Sequence, residues 1–175
     1  MTGTPGTMGT PDLFRPDPAH LAAARPAEPC GLGHRVPGYA EGTAAFTLTP
    51  RPAAAKTARS LLTTALADWD LSALTSDVSL VVSELVANAL LHGAPAVAMR
   101  WSIGLRLENR GRSLLCAITD ASPRPPATGL PGLTSVSGRG LQLVAGFSDR
   151  WGWNLCPCGQ GKDVWARFAL PAPTT

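Results

Sequence analysis

The sequence predicts a layered α+β fold, and three observations carry that prediction. Strand-like runs follow one another directly over residues 96–119 and again over 151–170, which implies antiparallel pairing. Two helical runs stand between the first strand and these, and Pro95 is the only proline from Pro52 to Pro123. All five tryptophans fall between Trp69 and Trp165, which marks the packed region.

In chain order, residues 1–40 are rich in Gly, Pro, Thr and Ala, hold seven of the 17 prolines and show no apolar period. They read as a disordered or loosely attached tail, with the ordered domain expected over 41–172. Ala44–Thr49 alternates from Phe46 onward and reads as a strand, stopped by Pro50 and Pro52. From Ala53 to Trp69 a helix places Ala58, Leu61, Leu62, Ala65 and Leu66 on one side. Ser72 or Thr75 is expected to cap a second helix, with Asp77 in its first turn and Gly93 at its end.

Ala96–Ile103 then reads as a strand, and Leu105–Glu108 as its continuation or a further edge. Asn109-Arg110-Gly111-Arg112 is a turn signal. Ser113–Thr119 is a buried strand, with Asp120 at its end. Residues 121–137, with prolines 123, 125, 126 and 131, form a long irregular loop. A short helix opens at Gly138-Arg139-Gly140-Leu141 and runs to Phe147. Trp151–Leu155 and Lys162–Leu170 read as a hairpin.

Composition narrows the function classes. Hydrophobic residues make up 45% and charged residues 15%, which suits a globular body. The formal charge is +3, and the basic residues are scattered, with Lys at positions 56 and 162 alone. No basic block or basic–aromatic alternation points to direct nucleic-acid binding. No apolar run is read as reaching the roughly 18 residues of a membrane helix, and no signal-like start is present, so a cytoplasmic protein with no membrane partner is the expectation. Cys156-Pro157-Cys158 lacks a second Cys/His pair at zinc spacing and reads mainly as incidental thiols.

Chemistry concentrates at three places. In Ser83–Gly93, Glu84, Asn88 and His92 stand at i, i+4 and i+8, one above the other on a helix face. Asp120 closes a buried strand, and Gly138-x-Gly140 precedes a helix. Each alone has a bland reading: a solvated stripe, a turn former, a tight connection. Together they are complementary. An amide oxygen suits a hard divalent cation. A buried carboxylate accepts a hydrogen bond from an exocyclic amine. Glycines at a helix mouth leave N–H groups free for phosphate.

In this order and spacing the chain resembles the GHKL ATPase superfamily, with its Bergerat ATP-binding fold, over roughly residues 43–171. Within it the chain looks most like the anti-sigma-factor serine kinases in their small actinomycete form. Ser83-Glu-Leu-Val-Ala-Asn-Ala-Leu-Leu-His-Gly matches the N box. Ile118-Thr-Asp-Ala-Ser matches the first glycine box, and Ser137-Gly-Arg-Gly-Leu-Gln-Leu-Val the second. Asp149-Arg-Trp-Gly and Gly161-Lys-Asp-Val-Trp-Ala match the way these regulators end.

The resemblance implies a two-layer α/β sandwich: a mostly antiparallel mixed sheet covered on one face by helices. It implies ATP and Mg²⁺ as cofactors, with Asn88 holding the metal and Glu84 as general base. It implies Asp120 as the adenine contact, with Ser122 beside it. Gly138, Arg139, Gly140 and Leu141 would cradle phosphates, under a lid formed by 121–137. His92 is left between a phosphate contact and a helix-closing role. The implied activity is serine/threonine kinase action on an anti-anti-sigma (STAS-type) partner, with sequestration of a sigma factor and a possible homodimer. A non-catalytic, partner-sequestering module of the same fold is the alternative. The catalytic half of a histidine kinase would need an upstream phospho-acceptor helix pair, which the Pro/Gly-rich tail does not supply.

Two departures stand out. Where the family has Asp-x-Gly-x-Gly, this chain has Asp120-Ala121-Ser122-Pro123-Arg124. Asp163 stands where a Thr often sits beside the base, leaving open whether it weakens binding or faces solvent.

Overall fold

The structure, a computed structural model, describes residues 42–95, 100–126 and 140–170. The tail expected over 1–40, residues 127–137 of the lid expected over 121–137, Gly138 and Arg139 lie outside the described residues. Strand β1 (Thr43–Leu48) leads to helix α1 (Ala54–Asp68). A 3-10 turn (Ser72–Leu74) opens into helix α2 (Thr75–His92). Strands β2 (Ile103–Asn109) and β3 (Ser113–Asp120) follow, then helix α3 (Gly140–Phe147) and the hairpin β4 (Arg150–Leu155) and β5 (Lys162–Ala169). The sheet order is β1-β2-β3-β5-β4, and all four pairings are antiparallel.

Side-chain parity assigns the two sheet faces. Leu48, Ile103, Leu105, Leu107, Leu114, Cys116, Ile118, Val164, Ala166 and Phe168 all enter one buried core with the helices. The alternate residues Leu115, Ala117 and Trp165 form a smaller buried cluster on the opposite face. Period-two alternation is what separates the faces.

Helix α2 is central to the helical layer. It buries Val78, Val81, Val82, Leu85, Val86 and Ala89, a stripe at 3–4-residue spacing. That stripe packs on β3, with α1 and α3 alongside. With its leading turn, the 21-residue stretch Ser72–His92 is long and apolar enough to cross a membrane by length and composition. This departs from the sequence expectation of no such run. Its apolarity has another outlet here, since the stripe is spent on the sheet and the neighbouring helices.

Two further expectations change. Neither Ser72 nor Thr75 caps α2: Leu74 occupies that position, without a side-chain hydrogen bond, because the 3-10 turn feeds the helix directly. Of the strand expected over Ala96–Ile103, residues 100–102 are irregular and Ile103 opens β2. Residues 96–99 lie outside the described residues. The pairing strand is the alternating segment Ile103-Gly-Leu-Arg-Leu-Glu, whose Ile103, Leu105 and Leu107 face the core. A run apolar at nearly every position masked that alternation.

Candidate nucleotide site

The site is laid out along α2. Glu84 and Asn88 lie one turn apart on the flank of the buried stripe, each half-buried. The opening of α3 sits against them. A Cβ placed on Gly140 would lie 2.7 Å from Glu84 Oε2 and 3.9 Å from Asn88 Nδ2. Glycine is therefore what lets the α3 backbone approach this carboxylate. Asn88 Nδ2 is buried and has no hydrogen-bond partner among the described residues. A buried amide left unpaired is costly, and in a binding site it marks a group awaiting a ligand. Leu141, next along α3, turns its side chain into the core, so any phosphate contact from it must come from its backbone.

The second half of the site lies where α2 ends. Gly93 takes the C-cap position with φ −91°, so it is not there for a left-handed turn. Its reason is proximity. A Cβ at Gly93 would lie 2.5 Å from Ala89 O and 2.6 Å from Asp120 Cβ. Ala121 N–H donates to Gly93 O at 3.1 Å, tying the end of β3 to the end of α2. Gly93 lies five positions beyond Asn88, a rise of about 7.5 Å. The amide–carboxylate pair and Asp120 thus occupy successive stations along one helix.

Asp120 is buried, and so is the residue that meets it. Lys162 is its cross-strand partner between β3 and β5. The Lys162 ammonium lies 2.9 Å from each carboxylate oxygen and donates to Ser122 O at 3.2 Å. Ser122 N–H donates to Asp120 Oδ1 at 2.9 Å. Ser122 is itself buried and turned inward. Burial pushes the Asp120 carboxyl above the usual carboxylate range, and the nearby Asp163 charge adds to that. The Lys162 hydrogen bond and charge and the Ser122 N–H oppose the rise without cancelling it. Gly161, with φ +107°, brings β5 in: a Cβ there would lie 2.3 Å from Asp120 O.

Lys162 was missed from sequence although a signal existed. It shares parity with Val164, Ala166 and Phe168, the inward residues of β5. A lysine on a buried face requires a carboxylate partner. Asp163 points the other way, on the sheet face with Trp165. It accepts from Thr119 Oγ1 at 2.5 Å and meets Arg106 at 3.5 Å. It therefore does not stand beside Asp120 within the site. His92, the last residue of α2, is exposed, and no contact among the described residues joins it to Glu84 or Asn88. Cys156 is buried and Cys158 exposed. No three metal-ligating side chains of the His/Cys/Asp/Glu type converge among the described residues.

A model of the histidine kinase-like ATPase domain matches residues 48–168, which is most of the chain. The chain belongs to the histidine kinase-like ATPase family. The matched span of this ATPase domain runs from the end of β1 to the end of β5, so every station of the site lies inside it. A search of curated proteins finds no significant match. Among solved structures, the chain is similar to "The crystal structure of the RsbU and RsbW domains of Rv1364c from Mycobacterium tuberculosis". The identity is 19%, with 76% of this chain and 34% of that one covered, at a TM-score of 0.48. The chain thus spans about a third of that protein's length.

Proposed function

We propose that this chain is an ATP-binding regulator that moves the ATP γ-phosphoryl group to a serine or threonine of a partner protein. The observation that carries the reading is the meeting of Glu84 and Asn88 with Gly140 at the start of α3, where the Asn88 amide N–H is buried and has no partner among the described residues. An amide beside the N-terminus of a helix suits a ligand with many anionic oxygens. Asn88 would hold Mg²⁺ through its amide oxygen while its N–H meets phosphate. When bound, the metal neutralises charge on the transferring phosphate. Gly138, Arg139, Gly140 and Leu141 orient phosphates with backbone N–H groups. Glu84, one turn from Asn88, accepts the proton of the attacking hydroxyl. Asp120 accepts from the adenine amine at the far station, with Ser122 holding the carboxylate. His92, at the exposed helix end, is assigned to closing α2.

The partner chemistry follows the resemblance to anti-sigma-factor kinases: a sigma factor to be sequestered, a STAS-type anti-anti-sigma protein as phosphoacceptor, a cytoplasmic location and a possible homodimer. The test is calorimetric binding of ATP with Mg²⁺, then transfer of labelled γ-phosphate to a candidate STAS partner. Asp120→Asn should abolish ATP binding or weaken it more than tenfold, and unchanged binding would remove the nucleotide assignment. Glu84→Ala should keep ATP binding and lose transfer by roughly a hundredfold or more.

One observation favours a second reading, a binding module without transfer. Ser122 and Arg124 stand in place of the glycines, and Ser122 is buried and tied by Lys162. The chain is thus held fast at the root of the expected 121–137 segment. ATP bound with no labelled partner would select this reading.

A further inference from the structure

We propose that Lys162 is a positioning residue that determines base specificity, by presenting Asp120 to the ligand as an oriented, charge-neutralised acceptor. This rests on the reading of Asp120 as the base contact. An ammonium carries three N–H donors and no acceptor. Lys162 donates to Asp120 Oδ1 and Ser122 O, and its nitrogen also lies 2.9 Å from Asp120 Oδ2, so the ammonium is engaged by the carboxylate and the chain beside it. Its side chain and that of Asp120 are each 3% exposed. The lysine is thus no phosphate ligand. It acts through the carboxylate.

The carboxylate offers about four lone-pair directions. Oδ1 accepts from both Lys162 and the Ser122 N–H, while Oδ2 lies 2.9 Å from the Lys162 nitrogen. The lone-pair capacity that remains lies on Oδ2, and an ionised carboxylate oxygen accepts only. An adenine amine at position 6 of the purine is a donor and fits, whereas the oxo group of hypoxanthine at the same position is an acceptor and does not. Without Lys162, a buried carboxylate lowers its cost by taking up a proton. It then presents an O–H, and its preference between amine and oxo is lost. Lys162 also cancels a negative charge that would repel a polyphosphate ligand. Stability alone does not account for the pair, since buried ion pairs commonly do no better than packed apolar residues.

The experiment measures dissociation constants of Mg–ATP and Mg–inosine triphosphate on the full chain, for the wild type, Lys162→Met and Lys162→Arg. The wild type should favour ATP by about tenfold or more. Lys162→Met should bring the two within about threefold of each other, chiefly by losing ATP, and Lys162→Arg should retain the preference. Equal weakening of both nucleotides by Lys162→Met would mean a merely structural lysine and would overturn the proposal. Should Lys162→Met not fold, carbon-13 spectra of the wild type decide. The Asp120 carboxyl should be ionised near neutral pH with and without ATP, and a protonated carboxyl there overturns the proposal. A wild type that binds neither nucleotide removes the base reading and this proposal with it. A wild-type preference for ATP that Lys162→Met leaves intact removes only the role of Lys162.

Discussion

Gly140 and Glu84 meet more closely than any β-carbon would allow. A methyl at Gly140 would press on Glu84 Oε2, the far end of a flexible side chain. The carboxylate can swing aside, so Gly140→Ala should fold normally, with a melting temperature within a few degrees of the wild type. The displaced carboxylate is the proposed base, so phosphoryl transfer should fall about tenfold or more while ATP binding changes less. Kinetics beside a melting curve checks this, and an unchanged transfer rate would separate Glu84 from the chemistry. The buried pair behind the base station behaves differently. Asp120→Asn alone leaves the Lys162 ammonium buried opposite an amide. The expected cost is about 3–5 kcal/mol. Asp120→Asn combined with Lys162→Met removes both charges and should recover most of that loss. Denaturant titrations of the two single variants and the double variant measure the coupling.

At the scale of elements, α2 ties the two stations together. Its core stripe and its polar flank are one helix, so loss of packing on one side shifts chemistry on the other. Leu85→Ala, beneath Glu84 and 1% exposed, should cost about 2–5 kcal/mol. Gly93→Ala places a methyl against backbone and the Asp120 side chain, neither of which can swing away. It should destabilise by about 1–3 kcal/mol and weaken ATP binding as well, read by unfolding and calorimetry on the same preparation. The sequence was informative where periodicity was clean. Helix α1, helix α2 and the β4–β5 hairpin follow from spacing alone, and the polar line on α2 was visible because it interrupts an apolar helix. The start of β2 was not, because residues 96–103 are apolar almost throughout and hide the alternation. Lys162 stayed hidden for another reason. Its meaning depends on the β3–β5 register, which pairs it with Asp120 across 42 residues of chain. Gly93 was read as a helix terminator, yet the close approach of Asp120 is what demands it, and no local pattern carries that.

At the scale of the whole molecule, the sheet holds two buried or half-buried carboxylates shifted in opposite directions, one toward each face. Glu108 lies on the face away from the helices. Burial pushes its carboxyl up, but the Arg106 charge, the Arg110 hydrogen bond and charge and the Arg106 hydrogen bond outweigh that, so it lies below the usual range. Asp120, on the helical side, lies above it. The signs follow from proton linkage. A lowered group binds fewer protons folded than unfolded, so Glu108 stabilises above its ordinary range and loses that contribution as pH falls through its folded value. A raised group binds more protons folded, so Asp120 makes stability fall as pH rises from the ordinary range to its folded value. Acidification from neutral pH should therefore bring a small gain from Asp120 first and a loss from Glu108 afterwards. Glu108→Gln should flatten the acid loss and leave the earlier gain, in melting temperatures taken between about pH 3 and pH 7. Its partners Arg106 and Arg110 are 40% and 43% exposed, so added salt should shrink the difference between wild type and variant. An acid limb equally steep in both proteins would show that Glu108 gains nothing from its arginines.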